Sequence, residues 1–214
     1  SSDVCSSDLA IIATLNVTNG TLTNAVGASI QSNVGAGGAR TLNAQLDNQG
    51  TLNVNQSLSV TNTSRTFTNT TGTIDVPAGK VLTINNGTSV LGGSGYTGTG
   101  QIDLASSHSL TVAASNLTLT SAAPQLTFGG TVTVNGPGTL INQATLELTS
   151  DTFAAGSSLD NQGLLLVRPG TSTINGTLTT NAGSTIQVRG DGGVAVGTLT
   201  VANGFTNNGT IDLT

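Results

Sequence analysis

Most active sites are built from residues that this chain scarcely contains. Its 214 residues include one cysteine, one histidine, one tyrosine, no methionine and no tryptophan, and only 7% are charged. A single cysteine rules out an internal disulfide framework, and no second cysteine or histidine accompanies His108 to make a metal set. The five basic residues (Arg40, Arg65, Lys80, Arg168 and Arg189) stand singly in a chain of net charge −5. Nothing there forms a basic patch for nucleic acid or an anionic membrane. No apolar run approaches the roughly 18 residues a membrane span requires. Hydrophobic residues nevertheless reach 36%, whereas most disordered chains pair low hydrophobicity with high charge.

The first nine residues, SSDVCSSDL, differ from everything after them. They hold the sole cysteine and two of the ten acids. Read back into codons, they resemble the translated end of a sequencing-library adapter, so residues 1–9 are set aside as a scar. That leaves no cysteine and eight acids against five bases, a net charge of 5 − 8 = −3. Residues 10–214 read as one segment with no internal domain boundary, truncated at both ends.

That segment is Leu, Val and Ile at alternate positions among Thr, Asn and Gly, a pattern of many short strands separated by turns. One phrase organises it: LDNQGTLNV at 46–54, FTNTTGTIDV at 67–76, YTGTGQIDL at 96–104 and LINQATLEL at 140–148. It returns as LDNQGLLLV at 159–167, TNAGSTIQV at 180–188 and FTNNGTIDL at 205–213. The glycine position falls at Gly50, Gly72, Gly100, Ala144, Gly163, Gly183 and Gly209, with gaps of 22, 28, 44, 19, 20 and 26 residues. A degenerate copy around LTSAAPQLTF would divide the longest gap and bring the mean period near 23. The gap of 28 reads as one coil lengthened by the glycine loop LGGSGYTGTG. Residues 10–45 supply one or two further coils and a loop, VGAGGAR.

A propeller blade needs about 40 residues, and a leucine-rich repeat would show its own leucine spacing. Coils of 20–25 residues filled by short strands instead predict an all-β fold, a right-handed parallel β-helix of about eight to nine coils. No coil buries its aliphatics alone, but stacking buries them against the neighbours above and below. Leu52/Val54, Ile74/Val76, Ile102/Leu104, Leu146/Leu148 and Ile211/Leu213 are expected to point inward in columns. Asn53, Asp75, Asp103, Glu147 and Asp212 between them are expected to face water, with Leu166 breaking the polar column. Asn48, Asn142, Asn161, Asn181 and Asn207 are expected to form an amide column, which Asn69 joins if one residue is inserted. Leu46, Tyr96, Leu140, Leu159 and Phe205 make a further apolar column.

The phrases LDNQGTLNV, FTNTTGTIDV and FTNNGTIDL resemble coils of large bacterial surface proteins: autotransporter passengers and filamentous-haemagglutinin-type adhesins. The resemblance covers most of residues 10–214 and rests on a structural motif. It implies a β-helix exported to the cell surface and working as a stalk or adhesin. It also implies partners outside this chain: flanking coils, and an outer-membrane barrel or partner transporter for export. Neither membrane insertion of the segment nor a nucleic-acid partner is expected, and the family brings no active-site motif and no cofactor.

Asp75 and Asp103 on adjacent coils could pair as Ca²⁺ ligands or as acid and base, although a solvated face needs polar residues there in any case. Asp160 with Arg168, and Asp151 with Glu147, form no recognisable constellation for a polysaccharide lyase or hydrolase. His108, in ASSHS, reads as a surface turn residue. Arg189–Asp191 spells RGD in a glycine-rich loop, a three-residue match of a kind chance often supplies. Asn-x-Ser/Thr triplets such as Asn16 and Asn116 follow from composition. Threonine pairs such as Thr131/Thr133, with Thr83, raise an ice- or mineral-binding array, but the strands LSV, LTI, LTV and VTV do not repeat Thr-x-Thr. The expected function is therefore a non-enzymatic structural or adhesive segment of a secreted or surface protein, with no catalytic, cofactor or metal residues. The alternatives are a carbohydrate-active β-helix and an ice- or mineral-binding solenoid.

Overall fold

The structure, a computed structural model, describes residues 12–35, 37–61, 63–93, 95–190, 192 and 195–214. Residues 1–9 and Asp191 of the RGD triplet lie outside them. Among the described residues every regular element is a strand, and the strands pair in parallel. The strands stack as a β-solenoid of about eight coils, about 40 Å long at the 4.7–4.9 Å strand spacing.

Each coil presents three faces. Face A stacks residues 13–16, 40–42, 58–60, 82–84, 101–104 and 125–128. It resumes as Thr145–Leu148, Leu164–Val167, Thr185–Val188 and Thr210–Leu213. Face B runs unbroken through Leu22, Leu46, Phe67, Ser89, Leu110, Val134, Phe153, Ile174 and Val201, each in register with the next. Face C stacks Ile30, Leu52, Ile74 and Tyr96, then separately Leu117, Leu140, Leu159 and Leu178.

The period-2 alternation does what the pleat requires: one residue in, the next out. Leu52, Val54, Ile74, Val76, Leu104, Leu146 and Leu148 are fully buried, and Ile102 is 3% exposed. Asn53, Asp75, Asp103, Glu147 and Asp212 between them are half-buried on the outside. Ile211 and Leu213 share the inward register, yet they are 47% and 76% exposed because no described coil lies above them. Leu166, although outward in register beside Glu147, is buried.

The gap of 44 residues hides a coil where LTSAAPQLTF stands: Leu126 and Phe128 lie in register with Ile102 and Leu104. The gap of 28, in contrast, contains no lengthened coil. Ile74 is in register with Tyr96, only 22 residues on, and Leu82 with Ile102, only 20 on. The phrase itself moves. In 46–54 and 67–76 its first half lies on face B and its second on face C. From 96–104 onward the first half lies on face C and the second on face A. Ile102 and Leu104 therefore stack on Leu82 and Ile84 rather than on Ile74 and Val76.

The asparagine column is accordingly two ladders at two corners. Asn24 donates to Asn48 Oδ1 (2.7 Å), and Asn48 to Asn69 Oδ1 (2.7 Å), at the B–C corner. Asn142 donates to Asn161 Oδ1 (2.8 Å) at the C–A corner. All of these amides but that of Asn69 also reach a backbone carbonyl across the bend: Asn24 that of Thr51, Asn48 that of Thr73, Asn142 that of Leu164 and Asn161 that of Thr185. They thus satisfy polar groups that a corner takes out of the strand ladder. Asn69 does join, as an inserted residue permits. Asn181 does not: Thr180 is the register partner of Asn161, and Asn181 turns outward to Asp160.

Candidate functional site: acids, a buried histidine and a threonine face

The acidic residues are the groups on which a cation site or acid–base chemistry would have to be built. The shift of corner separates Asp75 from Asp103. Asp75 lies in register with Asn53 and Thr97, and Asp103 with Thr83 and Thr127. Each carboxylate accepts from a threonine on the next coil, Thr97 Oγ1 at 2.7 Å and Thr127 Oγ1 at 3.0 Å. The paired-carboxylate expectation fails here because adjacency was inferred from the phrase, and the phrase changes face between the two residues. Asp160 accepts from Gln162, Thr179 and Asn181, and Asp212 from Gln187. Arg168 pairs with Glu147, not Asp160, through Nε at 2.9 Å and Nη2 at 3.1 Å. No group of three or more His, Cys, Asp or Glu with metal-site geometry occurs among the described residues.

Asp151 is the exception among the acids, being wholly buried. It sits where the chain bends from face A into face B. Oδ1 accepts from the Val132 backbone N–H (2.8 Å) and Oδ2 from that of Thr149 (2.9 Å). Its own N–H donates to Ser172 Oγ (3.2 Å). Burial raises its pKa, and the backbone donors offset part of that rise. The carboxylate serves as a corner brace, occupied by backbone donors on both oxygens. A lone acid after a Thr-Ser dipeptide gave no sequence signal of burial.

His108 is also inside. In place of the expected turn, the strand continues through 105–107 with a shift of register and Ser106 at φ 64°, and His108 is the first inward residue after that irregularity. It is 4% exposed, in register with Gly87 and Val132. Its Nε2 lies 2.9 Å from Ser89 Oγ, and its Nδ1 has no hydrogen-bond partner. Burial lowers its pKa to about 4. A serine–histidine contact of this length resembles a nucleophile and its base. Here both groups are enclosed, Ser89 completely, and Asp151 stands beyond Val132 on the next coil but one.

Two shallow clefts flank the place where face A loses its ladder, between strands 125–128 and 145–148. One is lined by Gln125, Leu126, Ala144 and Thr145 with the bend 119–124. The other is lined by Phe128, Gly129, Gly130, Thr131, Thr149 and Ser150. Neither lining contains a charged residue.

The outer side of face B carries the feature that the sequence obscured. Its outward column reads Thr21, Gln45, Thr66, Thr88, Ser109, Thr133, Thr152, Thr173 and Thr200. The strands LSV, LTI, LTV and VTV, which do not repeat Thr-x-Thr, belong to two faces: 58–60 and 82–84 to A, 110–112 and 132–134 to B. Mixing faces hid the column. No helix among the described residues is long and apolar enough to cross a membrane. No protein-family model, curated protein or solved structure matches the chain.

Proposed function

We propose that this chain is a rod segment of a large bacterial surface protein, a stalk or adhesin passenger, whose role is mechanical rather than catalytic. The observation that carries the reading is the continuous parallel stack of about eight coils around one aliphatic spine. Such a stack lengthens by adding coils without changing its cross-section. The coil phrases resembling autotransporter and filamentous-haemagglutinin repeats support the same reading. So does the engagement of Asp75, Asp103, Asp160, Asp212 and Glu147 by neighbouring side chains, which occupies the acids a glycan-cleaving site would use. The partners in this reading are flanking coils and an export device, a barrel in cis or a separate transporter, and the location is the cell surface.

Antibodies raised against the folded segment test it on cells of the source organism. Labelling of intact cells, lost after brief protease treatment, is the expected result. Labelling that requires permeabilisation would overturn the surface assignment.

A further inference from the structure

On the last four coils the threonine column of face B becomes two residues wide. Thr131/Thr133, Ser150/Thr152, Thr171/Thr173 and Thr198/Thr200 form four consecutive pairs. Thr133, Thr152, Thr173 and Thr200 are in register, as are Thr171 and Thr198. Thr131 and Ser150 stand two residues before Thr133 and Thr152, just outside the paired strands and at the edge of the cleft lined by Phe128 and Gly129. A third column, Asn135, Ala154, Asn175 and Ala202, borders the pairs, so the patch carries no charge.

Several outward hydroxyls elsewhere are engaged by neighbouring side chains. Thr97, Thr127 and Thr179 are bonded to aspartates, Thr21 to Gln45, and Ser59 and Ser109 to asparagines. None of the eight patch hydroxyls has a partner among the described residues, and none of the eight residues is buried. Seven are β-branched threonines, whose side chains are stiff about χ1. For the in-register positions Thr133, Thr152, Thr171, Thr173, Thr198 and Thr200 the spacing is set by the backbone: about 4.8 Å between coils and about 6.6 Å between alternate residues of a strand.

We propose that this face binds ice. A rigid, uncharged grid of free hydroxyls and methyls matches a neutral lattice that offers both donors and acceptors at fixed intervals. The inter-coil spacing is close to the oxygen repeat along the basal axes of ice. An ionic mineral would call for charged side chains, and a soluble glycan for aromatic platforms; the patch has neither. The inference requires the rod but not its export, so intracellular labelling in the antibody experiment would leave it standing.

The test is incorporation of the fluorescently labelled protein into a slowly growing ice hemisphere. The parent is expected to enter the ice. The double variant Thr152→Tyr/Thr173→Tyr, which keeps strand-favouring residues at solvent positions, is expected to be excluded like a non-binding control. Thr179→Tyr on face C is expected to behave as the parent, and thermal melting of all three establishes that each is folded. Exclusion of the parent overturns the proposal, as does equal incorporation of the double variant. Retention of the parent on cellulose or chitin particles without entry into ice would overturn it too, making the face a polysaccharide surface.

Discussion

The two ends of the rod solve the same problem at different corners. In the amino-terminal coils the phrase apolar–x–Asn–x–Gly–Thr–apolar bends the chain from face B to face C around Asn24, Asn48 and Asn69. In the carboxy-terminal coils a near-identical phrase bends it from face C to face A around Asn142 and Asn161. The difference teaches that the phrase encodes a corner and not a place on the coil. Both of these corners combine an inward aliphatic, a buried amide for stranded carbonyls, a residue too small to collide, and another inward aliphatic. At both Gly50 and Gly163 an added Cβ would lie 2.3 Å from the carbonyl oxygen of the coil below, Ala28 and Ala144 respectively.

Between the two regimes lies a junction where neither ladder operates. Leu91 is the register partner of Asn69, and Leu119 that of Asn142. The Asn69 amide nitrogen is left without a partner, while the Tyr96 hydroxyl donates to the Asn69 backbone carbonyl at 3.2 Å. Burial pushes the Tyr96 pKa up to about 12, so that hydroxyl stays protonated and able to donate at any ordinary pH. Leu91, Tyr96, Ile102, Leu117 and Leu126 pack together at the same place. The largest expected effect is therefore at the junction. Ile102→Asp would bury a charge with no partner among these apolar groups and should cost several kcal/mol, enough to unfold the central coils. Urea denaturation followed by circular dichroism measures it, and a variant that melts like the parent would mean that Ile102 does not support both halves.

Next in size are the ladders themselves, which allow a direct comparison of corners. Asn48→Ala and Asn161→Ala each remove an amide that bonds both a neighbour and a backbone carbonyl. Each should lose about 1–3 kcal/mol, the cost of leaving buried partners unsatisfied. Equal losses would confirm that the corners are equivalent. A loss at one alone would show that the other has a second means of bending the chain.

Much of this was legible in the sequence, and what was not has a physical cause. Alternation reports which residues face inward, so Leu52, Val54, Ile74 and Leu146 were placed correctly, and the period located the hidden coil at LTSAAPQLTF. Which face a strand occupies is a different quantity. It depends on the accumulated number of residues since the last corner, and an identical corner phrase on the next face is indistinguishable from one on the same face. That ambiguity misplaced Asp103 beside Asp75, and it dispersed the threonine column. His108 and Asp151 were missed for another reason: a polar residue at an inward position is invisible to a pattern defined by apolar ones.

A third comparison separates these two buried polar groups by pH. The unfolded chain protonates His108 near 6.5, the folded chain only near 4. Between these values the unfolded state binds more protons, so the stability that depends on neutral His108 is complete above about 6.5 and falls as pH drops toward 4. Asp151 acts in the opposite sense within the carboxylate range, since its raised pKa makes the folded state the better proton binder there. Unfolding midpoints measured from pH 7 to 4.5 should decline in the parent. They should decline less in His108→Gln, whose amide stays neutral throughout and can still meet Ser89. An identical slope in both would assign the decline to other groups.

The smallest expected effect is on the surface of the carboxy-terminal half. Arg168 and Glu147 are joined in a two-point contact, but their side chains are 42% and 38% exposed. Solvent and salt screen such a pair, so Glu147→Gln should cost only about 0.2–1 kcal/mol, and the difference should shrink further in concentrated NaCl. Leu166 is buried beside Glu147 in register, and Arg168 follows it by two residues on the same outward side. If the arginine stem contributes by covering that leucine, Arg168→Ala should cost more than Glu147→Gln, and the excess should persist in salt because packing is not screened. Equal, salt-sensitive losses from both substitutions would instead make the pair purely electrostatic and leave the burial of Leu166 to other neighbours.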